Sequence, residues 1–125
     1  MGETAVRLLL VAGVVVAALV VARTAWWLPA WRAGRSRLDL IGVEGRVLLF
    51  TDRRCTRCDA VRDMLVAAGA GFLEIRYDDD PDRWARIGVE AVPLLVVREA
   101  SGSVVGQIGG VPRRTRLERM LRHAE

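Results

Sequence analysis

Lysine is missing from this 125-residue chain; all 19 of its basic residues are arginine. That excludes Schiff-base chemistry through a lysine amine and phosphate-binding loops built around lysine. Cysteine and histidine are nearly absent too, with two of the first and one of the second. A structural zinc site takes four ligands, so one copy of the chain falls short of it on these residue types, and His123 stands near the far end. Beyond residue 38 there is no surplus of either charge: 14 arginines face 14 acids, while residues 1–38 hold five arginines against Glu3 alone. The net charge of +4 therefore sits entirely in the first third. A neutral remainder lacks the single-signed field that nucleic acid binding uses, which removes that class of partner. Internal repeats and low-complexity tracts are also absent.

What the first third does contain is apolar length. Residues 8–22 carry no charge, and the run continues past Arg23 and Thr24 through Ala25-Trp26-Trp27-Leu28. At about 1.5 Å per residue, positions 8–28 reach roughly 30 Å, one hydrocarbon thickness. Residues 5–28 are read as a single membrane span in contact with the lipid bilayer. A buried core helix would need comparable apolar surface elsewhere to enclose it, and no other segment offers that. A cleaved signal peptide fits Arg7 and the apolar run, but cleavage wants small residues at alternate positions where the chain has Arg23, Trp26 and Trp27. Trp26, Trp27 and Trp31 suit the headgroup layer, and Arg23 can snorkel to it. Arg23, Arg32, Arg35 and Arg37 after the run outweigh Arg7 before it, which places the carboxyl-terminal side in the cytosol. The alternative insertion, led by Arg7, would put that side in an oxidising, extracytoplasmic compartment. The arginines beside the span double as a grip on anionic lipid. Residues 29–42, with Pro29, Gly34 and no apolar periodicity, read as a juxtamembrane linker, and residues 43–125 as one domain.

In that domain short apolar strands alternate with helices. Residues 47–51 form a continuous apolar run of strand length. Residues 55–68 put Val61, Leu65 and Ala68 on one helical face, and Gly69 ends the helix. Residues 72–77 alternate as a strand, Phe72, Glu74 and Arg76 on one side and Leu73, Ile75 and Tyr77 on the other. Asp80 as N-cap and Pro81 at a first helical position open a short helix over 82–87 carrying Trp84, which is read as packing. Asp78-Asp79-Asp80 lacks the further spaced oxygens of a calcium loop and reads as a polar turn. Residues 94–98 and 103–108 flank a turn at Ser101-Gly102 and predict a hairpin. Residues 114–123 form a last helix with Leu117, Met120 and Leu121 inward, and His123 solvated at its end, where a cation is favourable. Strands joined through a helix run parallel and a hairpin runs antiparallel, so the expected sheet is a mixed one with helices on its faces, an α/β architecture.

Cys55-Thr56-Arg57-Cys58 are where chemistry concentrates. A helix starting at Cys55 brings Cys58 onto the same face one turn on, so the sulfurs can bond and separate again. A purely structural disulfide of this kind closes too small a loop to add much stability. Two copies pooling four cysteines could instead hold zinc or a [2Fe-2S] cluster.

The stretch Phe50-Thr51-Asp52-Arg53-Arg54-Cys55-Thr56-Arg57-Cys58 at a strand-to-helix junction, the run Gly88-Val89-Glu90-Ala91-Val92-Pro93-Leu94-Leu95-Val96-Val97, and a hairpin ending in Gly109-Gly110 before a terminal helix together resemble the thioredoxin-like superfamily over residues 43–124. The resemblance implies a thioredoxin-like fold with a mixed four-stranded sheet, and a cis Val92-Pro93 bond beside the cysteines. Val92, Pro93 and Gly109 become the expected substrate-binding residues, and Cys55 and Cys58 the catalytic pair. Cys55, at a helix start with Arg54 and Arg57 nearby, would have its pKa below a free thiol's and attack first; Cys58 would resolve the mixed disulfide. Asp52 and Asp59 oppose that shift in part. No cofactor is implied beyond the disulfide itself. The expected partners are protein thiols and disulfides near the membrane, met by a monomer. Departures are visible: Arg54 stands where the family commonly has tryptophan, Thr56-Arg57 where it has Gly-Pro, and Leu49 where thioredoxins carry a buried acid. An extra first strand and helix are missing. These departures leave room for two other readings, a tethered binding or assembly module without fast redox turnover and the dimeric metal or cluster carrier.

Overall fold

The computed structural model describes residues 2–124, apart from the side chains of Trp26 and Ala30, so the expectation for Trp26 lies outside the described residues. The elements are α1 (Glu3–Ala33), β1 (Val47–Thr51), α2 (Thr56–Ala67), β2 (Leu73–Arg76), α3 (Pro81–Ile87), β3 (Leu94–Arg98), β4 (Val104–Gly109) and α4 (Arg114–Ala124). The strands form one mixed sheet in the order β2-β1-β3-β4, with β1 parallel to β2 and antiparallel to β3, and β3 antiparallel to β4. Every residue of β1 and β3 is buried. This explains why residues 47–50 and 94–97 are unbroken apolar stretches and not alternating ones.

Each face of the sheet has its own cover. Leu49, Leu95, Val97 and Ile108 pack with Val61 and Leu65 of α2 and Leu117 and Met120 of α4. On the opposite face Leu48, Phe50, Leu94 and Val96 pack with Trp84 and Ile87 of α3 and with Ala33 and Val43 from the chain before β1. Trp84 meets Phe50 and Tyr77 edge-on, at centroid distances of 6.0 and 5.3 Å. Asp80 caps α3 by accepting from the Arg83 N–H at 3.0 Å, Pro81 occupies its first turn, and Gly88 ends it at φ 86°, a left-handed conformation that suits glycine.

Two expectations are corrected. The inward face of α2 is Cys58, Val61 and Leu65, whereas Ala68 is exposed. Ala68 is the C-cap, beyond the last full turn, and Gly69 at φ 68° ends the helix. The apolar helix also does not stop at Pro29. Proline removes one helical hydrogen bond without ending α1, which continues to Ala33. Its end is tied down: the Ala33 carbonyl accepts from the Ser36 hydroxyl at 3.0 Å and from Gln107 Nε2 of β4 at 2.5 Å. The Arg35 guanidinium lies 4.0 Å over the Trp31 ring. Leu38 and Leu40, from the stretch expected as a linker, pack half-buried on the second core.

At the far end of β3, Arg98 is 8% exposed and donates to the carbonyls of Val43 at 2.6 Å and Gly45 at 3.0 Å. It fixes the segment that leads into β1. Replacing it leaves those carbonyls short of a charged donor, so Arg98→Met should lower unfolding free energy by about 3 kcal/mol, given about 1.5–3 kcal/mol per charged hydrogen bond. Arg116→Met, on the exposed side of α4, should stay within about 0.5 kcal/mol of the parent chain in the same urea titration in detergent micelles.

Candidate active site: the Cys55–Cys58 pair

The sheet's topology gathers the site. Because β1 runs against β3 and β3 against β4, the end of β1, the start of β3 and the end of β4 share one end of the sheet: Phe50 pairs with Leu94, and Leu94 with Gly109. Cys55 follows β1 by four residues and Pro93 immediately precedes β3. The chain leaves β1 through a turn in which the Cys55 N–H donates to the Asp52 carbonyl at 3.2 Å. Cys55 is then the N-cap of α2, extended at φ −86° and ψ 101°, with its sulfur accepting from the Cys58 N–H at 3.2 Å. A residue in that position faces the unpaired N–H groups and the positive end of the helix dipole, which favours a thiolate.

The two cysteines form a disulfide with their Cα atoms 5.4 Å apart. Their exposure differs: Cys55 is half-buried, and Cys58 is 1% exposed. An incoming group therefore reaches Cys55 first. Val92-Pro93 is a cis peptide bond, with Val92 half-buried and Pro93 buried. The Pro93 carbonyl accepts from the Gly110 N–H at 2.9 Å, which holds the turn after β4 against the start of β3. Val92, Pro93 and Gly109 thus lie at the same end of the sheet as the disulfide. Arg54, Thr56 and Arg57 are exposed around it. Among the described residues no three His, Cys, Asp or Glu side chains converge as a metal site.

Beside Cys55 lies a cavity of about 150 Å³ lined by Arg53, Arg62 and Arg76 and by Asp52, Asp59, Asp78 and Asp79. Arg54 and Arg57 are not among its walls. Asp78 accepts from the Arg53 N–H at 3.0 Å. Arg62, one turn after Cys58 on α2, bridges Asp59 at 2.5 Å and Glu74. Glu74, on β2, is the register neighbour of Leu49 and also accepts from the Thr51 hydroxyl at 3.0 Å. Burial pushes the Glu74 carboxyl up, but the bonds from Arg62 and Thr51 and the charges of Arg62 and Arg76 outweigh it and hold the carboxyl below its ordinary value. Glu74 and Asp59 in turn raise the pKa of Arg62. The sequence reading put Glu74 on the Phe72 side of its strand but did not see this pair; the only local signal was a carboxylate alternating with apolar residues.

No protein-family model and no curated protein matches the chain. Solved structures do. Thioredoxin 1 from Thermosipho africanus TCF52B superposes with a TM-score of 0.50 at 12% identity, over 62% of this chain and 90% of that one. Thioredoxin-2 of a malaria parasite gives 0.52 at 13% identity, over 62% and 80%. Mitochondrial thioredoxin 3 from Saccharomyces cerevisiae, in its oxidized form, gives 0.50 at 24% identity, over 62% and 76%. At such identities the likeness establishes the fold, which is thioredoxin-like. That fold, with a CxxC-spaced disulfide at a helix start, fits a thiol–disulfide oxidoreductase.

The Arg62–Glu74 pair gives a pH test of the site's frame. Since folding lowers the Glu74 pKa, its stabilising contribution is complete above the ordinary glutamate value and is lost as pH falls through the depressed one. At pH 7 the parent chain should exceed Glu74→Gln in unfolding free energy by about 1 kcal/mol, the upper end for an ion pair still touched by solvent. Denaturant titrations repeated down to about pH 3 should show the difference closing. A difference that does not change with pH would contradict the assignment.

Proposed function

We propose that this chain is a membrane-anchored thiol–disulfide oxidoreductase that reduces protein disulfides at the cytosolic face of the cell membrane. The observation that carries the reading is the asymmetry of the pair: Cys55 is accessible and sits at the N-cap with its sulfur on the Cys58 N–H, while Cys58 is enclosed behind it. In the dithiol form the Cys55 thiolate attacks one sulfur of a substrate disulfide. A mixed disulfide forms and one substrate thiolate leaves. Cys58 then gives up its proton and attacks the Cys55 sulfur, releasing the second substrate thiolate. Two electrons pass to the substrate, Cys55–Cys58 becomes a disulfide, and an external dithiol must restore it. No bound cofactor takes part.

Leu49 offers no acid beneath Cys58. Its register neighbour Glu74 has its carboxyl held below the ordinary value by the bonds from Arg62 and Thr51, which makes it a weak base. The resolving step therefore relies on solvent or on the departing substrate thiolate, which favours partners that remain docked on Val92, Pro93 and Gly109 after the first exchange.

The anchor is α1. It is the one helix among the described residues long and apolar enough to cross a membrane, and its apolar window is not buried against the rest of the chain. Trp27 and Trp31 are exposed near its end, as headgroup residues would be, and Arg32, Arg35 and Arg37 follow, which supports a cytosolic domain. The partners are protein thiols and disulfides near the bilayer, approached by a monomer; nucleic acid is not among them.

Cys55→Ser should abolish turnover of a protein disulfide, whereas Cys58→Ser should accumulate mixed disulfides that a non-reducing gel displays. Parent-level turnover in both would refute the roles. The midpoint potential of the full chain in detergent, read by thiol alkylation, should fall near about −270 mV, the value of a reductant. A potential near about −120 mV would mark an oxidant and reverse the orientation.

A further inference from the structure

The path of the chain from α1 to β1 fixes where the bilayer must lie relative to the cysteines. Three contacts mark that path. Ala25, Leu28, Pro29 and Arg32 of α1 share a cavity of about 280 Å³ with Glu90, which lies in the loop leading to Pro93. Further on, the Asp39 N–H donates to the Ile87 carbonyl at 2.9 Å, at the end of α3. Last, the carbonyls of Val43 and Gly45 meet Arg98 at the end of β3 remote from Pro93. The chain therefore descends along one face of the sheet, from the end that carries Pro93 and the disulfide to the opposite end, before β1 turns back.

Upstream of that descent is the apolar helix. Gln107, which grips Ala33 and the Ser36 carbonyl, is two residues before Gly109, about 7 Å at strand rise. From Ala33 back to Ala25 the helix climbs about 12 Å. A helix lying along the sheet has thus passed the level of Gly109 and Pro93 by Ala25, and it leaves the domain from the end where the disulfide sits. If residues 8–28 fill about 30 Å of hydrocarbon, Leu28 lies at its boundary and Glu90 at headgroup level.

We infer, on the reading of a membrane-anchored oxidoreductase given above, that the Cys55 end of the domain faces the bilayer surface, and that the substrates are disulfides held in the headgroup layer, in the first residues outside the membrane spans of other proteins. The opposite end, with Ile41 and Ser101, faces away. The assignment holds for either direction of insertion, because it follows from how α1 meets the domain. It sets the exposed Arg54 and Arg57 side chains, at the site itself, against lipid phosphate.

The test uses the full chain in phosphatidylcholine–phosphatidylglycerol vesicles. In a Cys55→Ser, Cys58→Ser background, a fluorophore is placed at Val111→Cys, exposed in the turn after β4, or at Ile41→Cys, exposed at the other end. A lipid carrying a headgroup nitroxide should remove the emission of the first and spare the second. Arg113→Cys and Ser101→Cys, both on exposed positions, should give the same contrast and guard against a misfolded variant. Equal quenching at the two ends, or stronger quenching at Ile41, overturns the inference. In parallel, the unmodified chain in vesicles should reduce a disulfide engineered next to the span of a transmembrane peptide faster than one placed on a long extramembrane extension of it; equal rates overturn the substrate assignment. A detergent-solubilised chain unable to reduce a small aromatic disulfide would overturn the oxidoreductase reading itself, and with it the substrate assignment. Activity there with equal quenching sinks this inference and leaves the oxidoreductase reading standing.

Discussion

The antiparallel pairing of β1 with β3 is the constraint from which the rest follows. Both strands are buried along their whole length, so neither face of the sheet can be left to solvent. On one face α2 and α4 supply the cover. On the other, α3 has only seven residues, too few to shield Leu48, Phe50, Leu94 and Val96 by itself. Exposing even one such side chain costs about 1.5–3 kcal/mol. The deficit is met by the chain before β1: Ala33 and Val43 are buried there, with Leu38 and Leu40 packed against them. The domain has thus drawn the segment between α1 and β1 into the fold, and that segment can no longer act as a flexible tether.

The same pairing decides where chemistry can happen. Within β1 and β3 the backbone groups are consumed by the ladder, and reactive groups have to stand where the strands end. Because the two strands are antiparallel, the exit of one is beside the entrance of the other. The exit turns through Asp52 into a helix whose first N–H groups need an acceptor, and the sulfur of Cys55 is that acceptor. The entrance carries Pro93, which has no N–H to leave unpaired outside the ladder.

Much of this was legible in the sequence because its causes are local. An unbroken apolar run marks β1, Asp80-Pro81 opens α3, the turn at Ser101-Gly102 marks the β3–β4 hairpin, and the Cys-x-x-Cys spacing sets both cysteines on one helical turn. The unreadable part consists of partners far apart in the chain. Arg98 looks like the polar end of a strand until Val43 and Gly45, more than fifty residues earlier, bury it. Glu74 needs Arg62 from α2, and the docking of Ala33 needs Gln107 from β4. Pro29 was misleading for a physical reason: it deletes one helical hydrogen bond, and the packing of Ala33 outweighs that loss.

The electrostatics of Cys55 rest on backbone more than on side chains. The cavity beside it has three arginines and four aspartates in its walls, so side-chain charge there does not favour an anion. These groups border solvent, where two unit charges 4 Å apart are worth only about 1 kcal/mol. The Cys58 N–H, by contrast, is held 3.2 Å from the sulfur by the helix itself, a donor fixed by the backbone. A donor held in this way tolerates change at positions 54, 56 and 57, provided Cys55 still caps the helix. That tolerance leaves the exposed side chains of Arg54, Thr56 and Arg57 free to vary while the pair keeps its geometry.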